Sequence, residues 1–337
     1  MAASGGHWAS LAELKKLGQA QLIPGVMDGT ATTFRGGILP VIPLAQAKGT
    51  SIQWNETAYD RRARNADIGD TLTWVDNVTY TQRETELKTI YDQTPLNKMV
   101  ASIYDTVNNY EAQQLIELTG SMVRRVEDQL IYGDATYGTK QFDGLHAWAE
   151  IQSGSLDIDE GEGALSLANM RSLRDAMKGG IDAWLTSYEI GARFDELMEI
   201  GVGSNMPLTS LARGLDEFGK PILLYAGVPI VRSDYMVAEQ ANTGVGSNER
   251  QKNSSGTSQY SILAVKFGQV MSGQPGLTLG FGGDNNALGQ PFRMERFDKL
   301  EDFDAAGLRL TGYFGLMAGG PFSVGRIYDI TDAAITA

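Results

Sequence analysis

Between residues 96 and 132 the apolar side chains Ile103, Val107, Leu115, Leu118, Met122, Val126 and Leu130 recur at steps of three, four or eight. That spacing gathers them on one stripe of an α-helix. Pro95 suits the entry to such a helix and Gly133 its exit. At its full length the helix extends roughly 50 Å, with Asn108–Asn109 and Gly120 as its weak points. Upstream, residues 50–91 change to period two, which reads as strands: Ile52 with Trp54, Leu72 with Trp74, then a largely polar run from Thr81 to Tyr91. Tyr59–Asp70 forms a charged tip between the first two. A polar two-stranded hairpin buries too little to stand alone, so this one calls for a partner surface, its own body or a neighbouring copy.

Residues 1–49 show neither period. A short helix is expected at Leu11–Leu17, followed by Pro24, Gly25, Gly29, Gly36, Gly37, Pro40 and Pro43. Among these stand Val26, Phe34, Ile38, Leu39, Val41, Ile42 and Leu44. Glycine and proline forbid a regular core element, yet so much apolar surface is not left in water. An extended arm lying along another surface satisfies both conditions.

Downstream of the long helix, Gly133–Leu145 reads as a glycine-punctuated turn and residues 156–163 as an acidic loop. A helix is predicted at Leu167–Met177, a strand at Ala183–Thr186 and a helix at Ser187–Glu199. A hairpin follows, Pro221–Tyr225 and Val228–Val231 about the turn Ala226–Gly227. Residues 242–258 read as a polar loop with almost nothing to bury. Strands are expected at Ser261–Phe267, Phe292–Phe297, Leu308–Phe314 and Ser323–Ile330. The class is α+β, with no internal repeat.

Length and composition narrow the possibilities. The 337 residues exceed the roughly 250–300 that one core sustains, so two domains or long appendages are expected. Hydrophobic residues at 42 % and charged residues at 20 % exclude wholesale disorder. No apolar run reaches the ~20 residues of a membrane span, and the N-terminus has no signal-peptide pattern. With no cysteine and only His7 and His146, this chain excludes disulfides, thiolate chemistry and Cys/His zinc sites. Glycine, 40 of 337, is about 12 % against a usual ~7 %. The net charge of −13 argues against gripping nucleic acid or an anionic membrane with the general surface. Only residues 1–49 are net positive, with Lys15, Lys16, Arg35 and Lys48 against Glu13 and Asp28.

The search for chemistry returns little. No G-x-S-x-G occurs, Gly219–Lys220 is followed by Pro221, which defeats a P-loop, and Gly201-x-Gly203 ends on Met206 rather than a third glycine. Asp157, Asp159 and Glu160 resemble the start of a calcium loop, but Gly161 replaces the next ligand. His146 lies among apolar neighbours and reads as structural, and Trp54, Trp74, Trp148 and Trp184 read as packing residues. No catalytic, cofactor-binding or metal-ligating residue is expected, and no cofactor.

Several local patterns, taken in order, resemble the major capsid proteins of tailed bacteriophages, which share the Hong Kong 97-type fold. The helix ends in Val126-Glu127-Asp128-Gln129-Leu130-Ile131-Tyr132-Gly133-Asp134, followed by Phe142-Asp143-Gly144-Leu145. Ala183-Trp184-Leu185-Thr186 is similar to a strand of the family's axial domain. Gly219-Lys220-Pro221 with Leu224-Tyr225-Ala226-Gly227-Val228-Pro229-Ile230-Val231 resembles its most specific hairpin. The resemblance, covering the chain from about residue 35, implies an N-terminal arm over 1–45 and an extended β-hairpin loop over 46–91. It further implies a peripheral domain with a long spine helix over 92–150 and 291–337, and an axial domain over 151–290 whose loop 242–258 faces the capsomer axis.

The same resemblance implies a non-enzymatic major capsid protein that assembles into pentamers and hexamers of an icosahedral head enclosing double-stranded DNA. Its location would be the virion capsid, assembled in the host cytoplasm, without membrane. Its partners would be copies of itself, a scaffold, a portal and decoration proteins, with the DNA enclosed but not read. The alternatives are an encapsulin-like nanocompartment shell and a soluble enzyme or carbohydrate-binding protein. Inter-subunit contact is expected from Phe34, Trp54, Tyr59, Arg61, Arg62, Arg64, Asp67 and Trp74. Some family members weld subunits by isopeptide bonds from a loop lysine. This tip carries arginines and no lysine, the nearest being Lys48, so no such weld is expected. A mature chain beginning at Met1 would need no prodomain cleavage and would take a separate scaffold.

Overall fold

The computed structural model describes residues 35–57, 63–71, 74, 78–98, 110–152, 154–203, 211–215, 221–241, 250–253, 259–282, 291–299 and 305–336. The helix expected at Leu11–Leu17, and Ile103 and Val107 of the long stripe, lie outside them.

The remaining stripe residues do what their spacing demands. Helix α1, Tyr110–Tyr132, runs through Gly120 without interruption and buries Leu118, Met122, Val126 and Leu130. The predicted entry at Pro95 is corrected: strand β4, Lys88–Asn97, continues past it, with Pro95 opposite Gly307. Proline is tolerated because β4 has a strand on one side alone among the described residues, so a missing N–H disrupts no second ladder.

Two sheets organise the rest. The first has the order β1 (Leu44–Ala47), β13 (Gly276–Gly282), β15 (Ala305–Gly319) and β14 (Phe292–Phe297), with β4 along the other side of β15. The second has the order β5 (Asp157–Ser166), β16 (Val324–Thr336), β12 (Tyr260–Val265), β6 (Ala183–Thr186), β9 (Val228–Arg232), β8 (Pro221–Tyr225) and β7 (Leu211–Leu215). Helix α2 spans Leu145–Gln152, α3 Leu167–Ala176 and α4 Tyr188–Gly203. The C-terminal stretch feeds both sheets: β14 and β15 lie in the first, whereas β16 lies in the second.

Alternation explains the two cores. Leu263 and Val265 of β12 and Leu185 of β6 face the core that holds α1, α2 and the first sheet. Ile262, Ala264 and Trp184 face the opposite core, with Met170, Leu173, Phe194 and Ile327. A central strand buried on both faces needs a continuous apolar run, which Ile262–Val265 supplies.

Three further expectations are corrected, and one strand was not expected at all. The acidic loop at 156–163 is part of β5, which pairs in parallel with β16 around an irregularity where Gly161, Glu162 and Asp329 take φ of 66°, 62° and 59°. Its charges suit an edge strand with a solvent side, which hides the apolar signal. Within the polar loop 242–258, Gln251–Asn253 forms β11, paired with β10 (Gln240–Ala241), and all three of its residues are buried. β13 went unanticipated because three of its seven residues are glycine. Finally, Trp74 lies outside any strand and is 97 % exposed; the partner of β2 (Ser51–Thr57) is β3 (Tyr80–Glu86).

Candidate assembly surface

The extended hairpin is built from β2 and β3, antiparallel from Ser51↔Glu86 to Thr57↔Tyr80. Period two puts Ile52, Trp54 and Glu56 on one face of β2, with Arg83 and Thr85 opposite on β3. That face turns to the body. Ile52 and Thr85 form one cross-strand rung, and beneath it Gly280 and Gly315 form another, between β13 and β15. A Cβ built on Gly280 would lie 2.5 Å from Ile52 Cδ1, and one on Gly315 2.7 Å from Thr85 Cγ2. The two glycines are therefore a notch, and the rung sits in it. Thr85 Oγ1 donates to Leu316 O at 2.9 Å.

Further along, the rings of Trp54 and Trp148 lie 5.8 Å apart at 44°, and Trp148 Nε1 donates to Leu316 O at 3.2 Å. Glu56 Oε1 accepts from Trp54 Nε1 and from Gly320 N, both at 2.9 Å, while Oε2 lies 3.5 Å from Arg83 Nε.

Among the described residues between β2 and β3, 63–71 and Trp74 are exposed. Arg64 and Asp67 are exposed; Asp67 Oδ1 accepts the Ile68 N–H, and Asp70 Oδ2 accepts that of Asp67, each at 2.8 Å. Ile68 is 103 % exposed and Trp74 97 %, large apolar side chains with no cover in one subunit. Phe34, Tyr59, Arg61 and Arg62 lie outside the described residues. Trp54 is thus placed against its own body, and Arg64, Asp67 and Trp74 face outward. Sequence reasoning missed Glu56, Thr85, Arg83 and the glycine notch. Glu56 was discoverable, since Ile52-x-Trp54-x-Glu56 continues one alternation; the notch was not, because its halves come from separate strands.

Residues 35–39 are held to the body by a second built feature. Glu127 of α1 accepts Ile38 N at 2.9 Å and Leu39 N at 2.8 Å, and Asp234 exchanges bonds with Arg35 N and O. Gly36, at φ 71°, passes under Arg232 O where a Cβ would come within 1.9 Å.

A buried polar network lies beside the core that holds α1 and α2. His146 Nε2 lies 3.2 Å from Glu239 Oε1, and Glu239 Oε2 accepts from Ser261 Oγ at 2.6 Å. The rings of Tyr132 and His146 stack at 5.0 Å. Arg326 bonds Asp157 at 2.8 and 3.1 Å and reaches His146 Nδ1 at 3.4 Å. Arginine can only donate, so Nδ1 accepts and the imidazole proton sits on Nε2, toward Glu239. Burial holds His146 below its usual value, with Glu239 opposing. Lys252 Nζ meets Asp134 Oδ2 at 2.7 Å; burial pushes that carboxyl up, but Lys252 and Thr136 outweigh it and the net shift is downward. His146 is sealed from solvent, which suits packing rather than proton transfer to a substrate. Among the described residues no group of three His, Asp or Glu side chains could hold a metal ion.

No family model and no curated protein matches the sequence. Solved structures do match, over nearly the whole chain. The holo-SrpI encapsulin complex of Synechococcus elongatus PCC 7942 aligns at TM-score 0.69 and 14 % identity, covering 98 % of this chain and 99 % of that one. The capsid of a native GTA particle aligns at TM-score 0.63 and 12 % identity, covering 97 % and 100 %. The capsid of cyanophage P-SCSP1u aligns at 0.58 and 11 %, covering 94 % of each chain. End-to-end agreement with shell subunits at so low an identity joins the α1 spine, the docked hairpin and the two sheets into one conclusion: the chain has the Hong Kong 97-type capsid fold.

Proposed function

We propose that this chain is a major capsid protein, self-assembling into pentamers and hexamers of an icosahedral head that encloses double-stranded DNA. The observation that carries the reading is coverage: shell subunits align with more than nine-tenths of this chain and of their own length. The uncovered tip supports it. Ile68 and Trp74 expose apolar surface that a solitary soluble subunit gains nothing from, and a neighbouring copy would bury it. Each contact is weak, and repetition over a closed shell makes the sum large. On this reading residues 92–150 and 291–337, which carry α1, β14 and β15, form the peripheral domain, residues 151–290, which carry most of the second sheet, form the axial domain, and the part played by the chain is structural rather than enzymatic. Scaffold, portal and decoration proteins would complete the particle, a virion capsid built in the host cytoplasm.

A second reading, an encapsulin-like compartment, draws on one observation: the encapsulin TM-score of 0.69 exceeds the 0.63 and 0.58 of the two capsids. Electron microscopy with nucleic-acid analysis of particles from the native source separates the two. Closed shells filled with double-stranded DNA establish the capsid; closed shells holding protein select the compartment. A stable monomer at high concentration rejects both.

A further inference from the structure

The hairpin meets the body at three successive inward positions of β2, and the three contacts differ in kind. Ile52 and Thr85 rest in the Gly280–Gly315 notch. Trp54 packs on Trp148. Both contacts are largely apolar, and the first adds one neutral hydrogen bond, from Thr85 Oγ1 to Leu316 O. Glu56 differs, because one oxygen takes two N–H donors from different directions and the other oxygen faces Arg83. A charge-assisted bond of this kind specifies orientation as well as attraction.

The group that Glu56 grips is itself held. Gly320, at φ 84°, lies in the turn joining β15 to β16, where the chain passes from one sheet to the other. Gln152 of α2 holds the same turn, donating to Gly320 O at 3.0 Å and to Ser323 Oγ at 2.7 Å and accepting Val324 N at 3.2 Å. We infer that the notch and Glu56 together set the angle at which the extended loop leaves the subunit, with Glu56 as the positioning residue.

The consequence follows from leverage. About a dozen residues run out beyond Glu56 and a dozen return, a reach of at most about 40 Å, so a tilt of about 10° at the anchor displaces the tip by up to roughly 7 Å. Displacement on that scale exceeds a side-chain contact distance, so the anchor would govern which neighbour geometry the tip can meet. This consequence for the shell rests on the capsid reading; the angle itself is a property of one subunit. The notch is unequal in its two halves. A Cβ at either glycine would meet a backbone oxygen at 3.1–3.2 Å, but Ile52 Cδ1 over Gly280 is the far end of its side chain and can rotate away, whereas Thr85 Cγ2 over Gly315 is fixed directly to a stiff β-branched Cβ. Gly315 is the stricter position.

The absence of cysteine allows a direct test with spin labels at Thr57→Cys and Ser172→Cys, both exposed, in the full chain. The labelled parent should give one narrow distance distribution. Adding Glu56→Ala should widen it about twofold, through loss of the charge-assisted bond, whereas Glu56→Gln, which keeps an accepting Oε1, should restore most of the narrowness. Gly315→Ala should move the mean. Glu56→Ala leaves the buried cores untouched, so unchanged circular dichroism is the control for folding. A Glu56→Ala distribution as narrow as the parent's overturns the inference, whether or not shells form. If the distances behave as expected and the parent never forms shells, the capsid reading fails and the angle-setting role stands. If shells form, Glu56→Ala particles should vary more in diameter; particles as uniform as the parent's overturn the link to assembly.

Discussion

Glu127 accepts the backbone N–H of Ile38 at 2.9 Å across 89 positions of sequence. Its other oxygen takes Leu39 N at 2.8 Å, so one side chain of the spine helix closes the first turn of the chain that enters the body. Burial raises this carboxyl, and the two amides pull it back without cancelling the shift.

Glu127→Ala leaves both N–H groups without that acceptor, and the cost of stranding buried donors is about 1–3 kcal/mol. In urea the midpoint should fall with little change in slope. An unchanged midpoint would show that the arm is held by its apolar residues alone.

His146 makes stability depend on pH. The unfolded side chain titrates near 6.5, and burial, helped by Arg326 and Lys252 and opposed by Glu239, lowers the folded value. The folded state therefore binds fewer protons below that pH, so this contribution is fully present above about pH 6.5 and is lost as the pH falls through it. Melting temperatures recorded from pH 8 to 5.5 should drop below about 6.5. His146→Asn should flatten that slope; an identical slope in the variant assigns it to other groups.

Lys252 and Asp134, 1 % and 5 % exposed, form a pair that neither partner can leave cheaply. Lys252→Met strands a buried carboxylate and should cost roughly 3–5 kcal/mol, part of which Asp134→Asn in the same chain should recover. Calorimetry of the two single variants and the double variant measures the coupling. Additive losses would mean that the two side chains act independently.

Replacing residues 58–79 by Asn-Gly keeps β2 and β3 and closes them with a turn suited to a hairpin. The subunit should fold with a melting temperature close to the parent's, while closed shells disappear from electron micrographs. Intact shells from this variant would remove the tip from the assembly mechanism.

Elements with strong local periodicity were legible in the sequence. The α1 stripe from Leu118 to Leu130, the strand Ala183–Thr186 and the hairpin about Ala226–Gly227 all sit where the pattern placed them. Such elements declare themselves because one face is apolar and the repeat is short. β5 and β11 did not, because their residues are polar for reasons that lie elsewhere in the chain. β5 has a solvent side, and Lys252 is buried only because Asp134, 118 positions away, receives its charge. Trp74, read as half of a strand, stands outside the sheet, and β3 is the strand that pairs with β2.

The sequence by itself determined the fold class, the exclusion of cysteine chemistry, and a polar hairpin that requires a second surface. Tertiary structure alone decided which surface receives its base. Gly280 and Gly315 are unremarkable in a glycine-rich chain until β13 and β15 pair them, and Glu56 is one acid among 41 until the turn at Gly320 arrives beneath it. The physical reason is range. Periodicity records what each residue does with its helical or strand neighbours, whereas a notch and its clamp are made by atoms more than two hundred positions apart, brought together only when both sheets have formed.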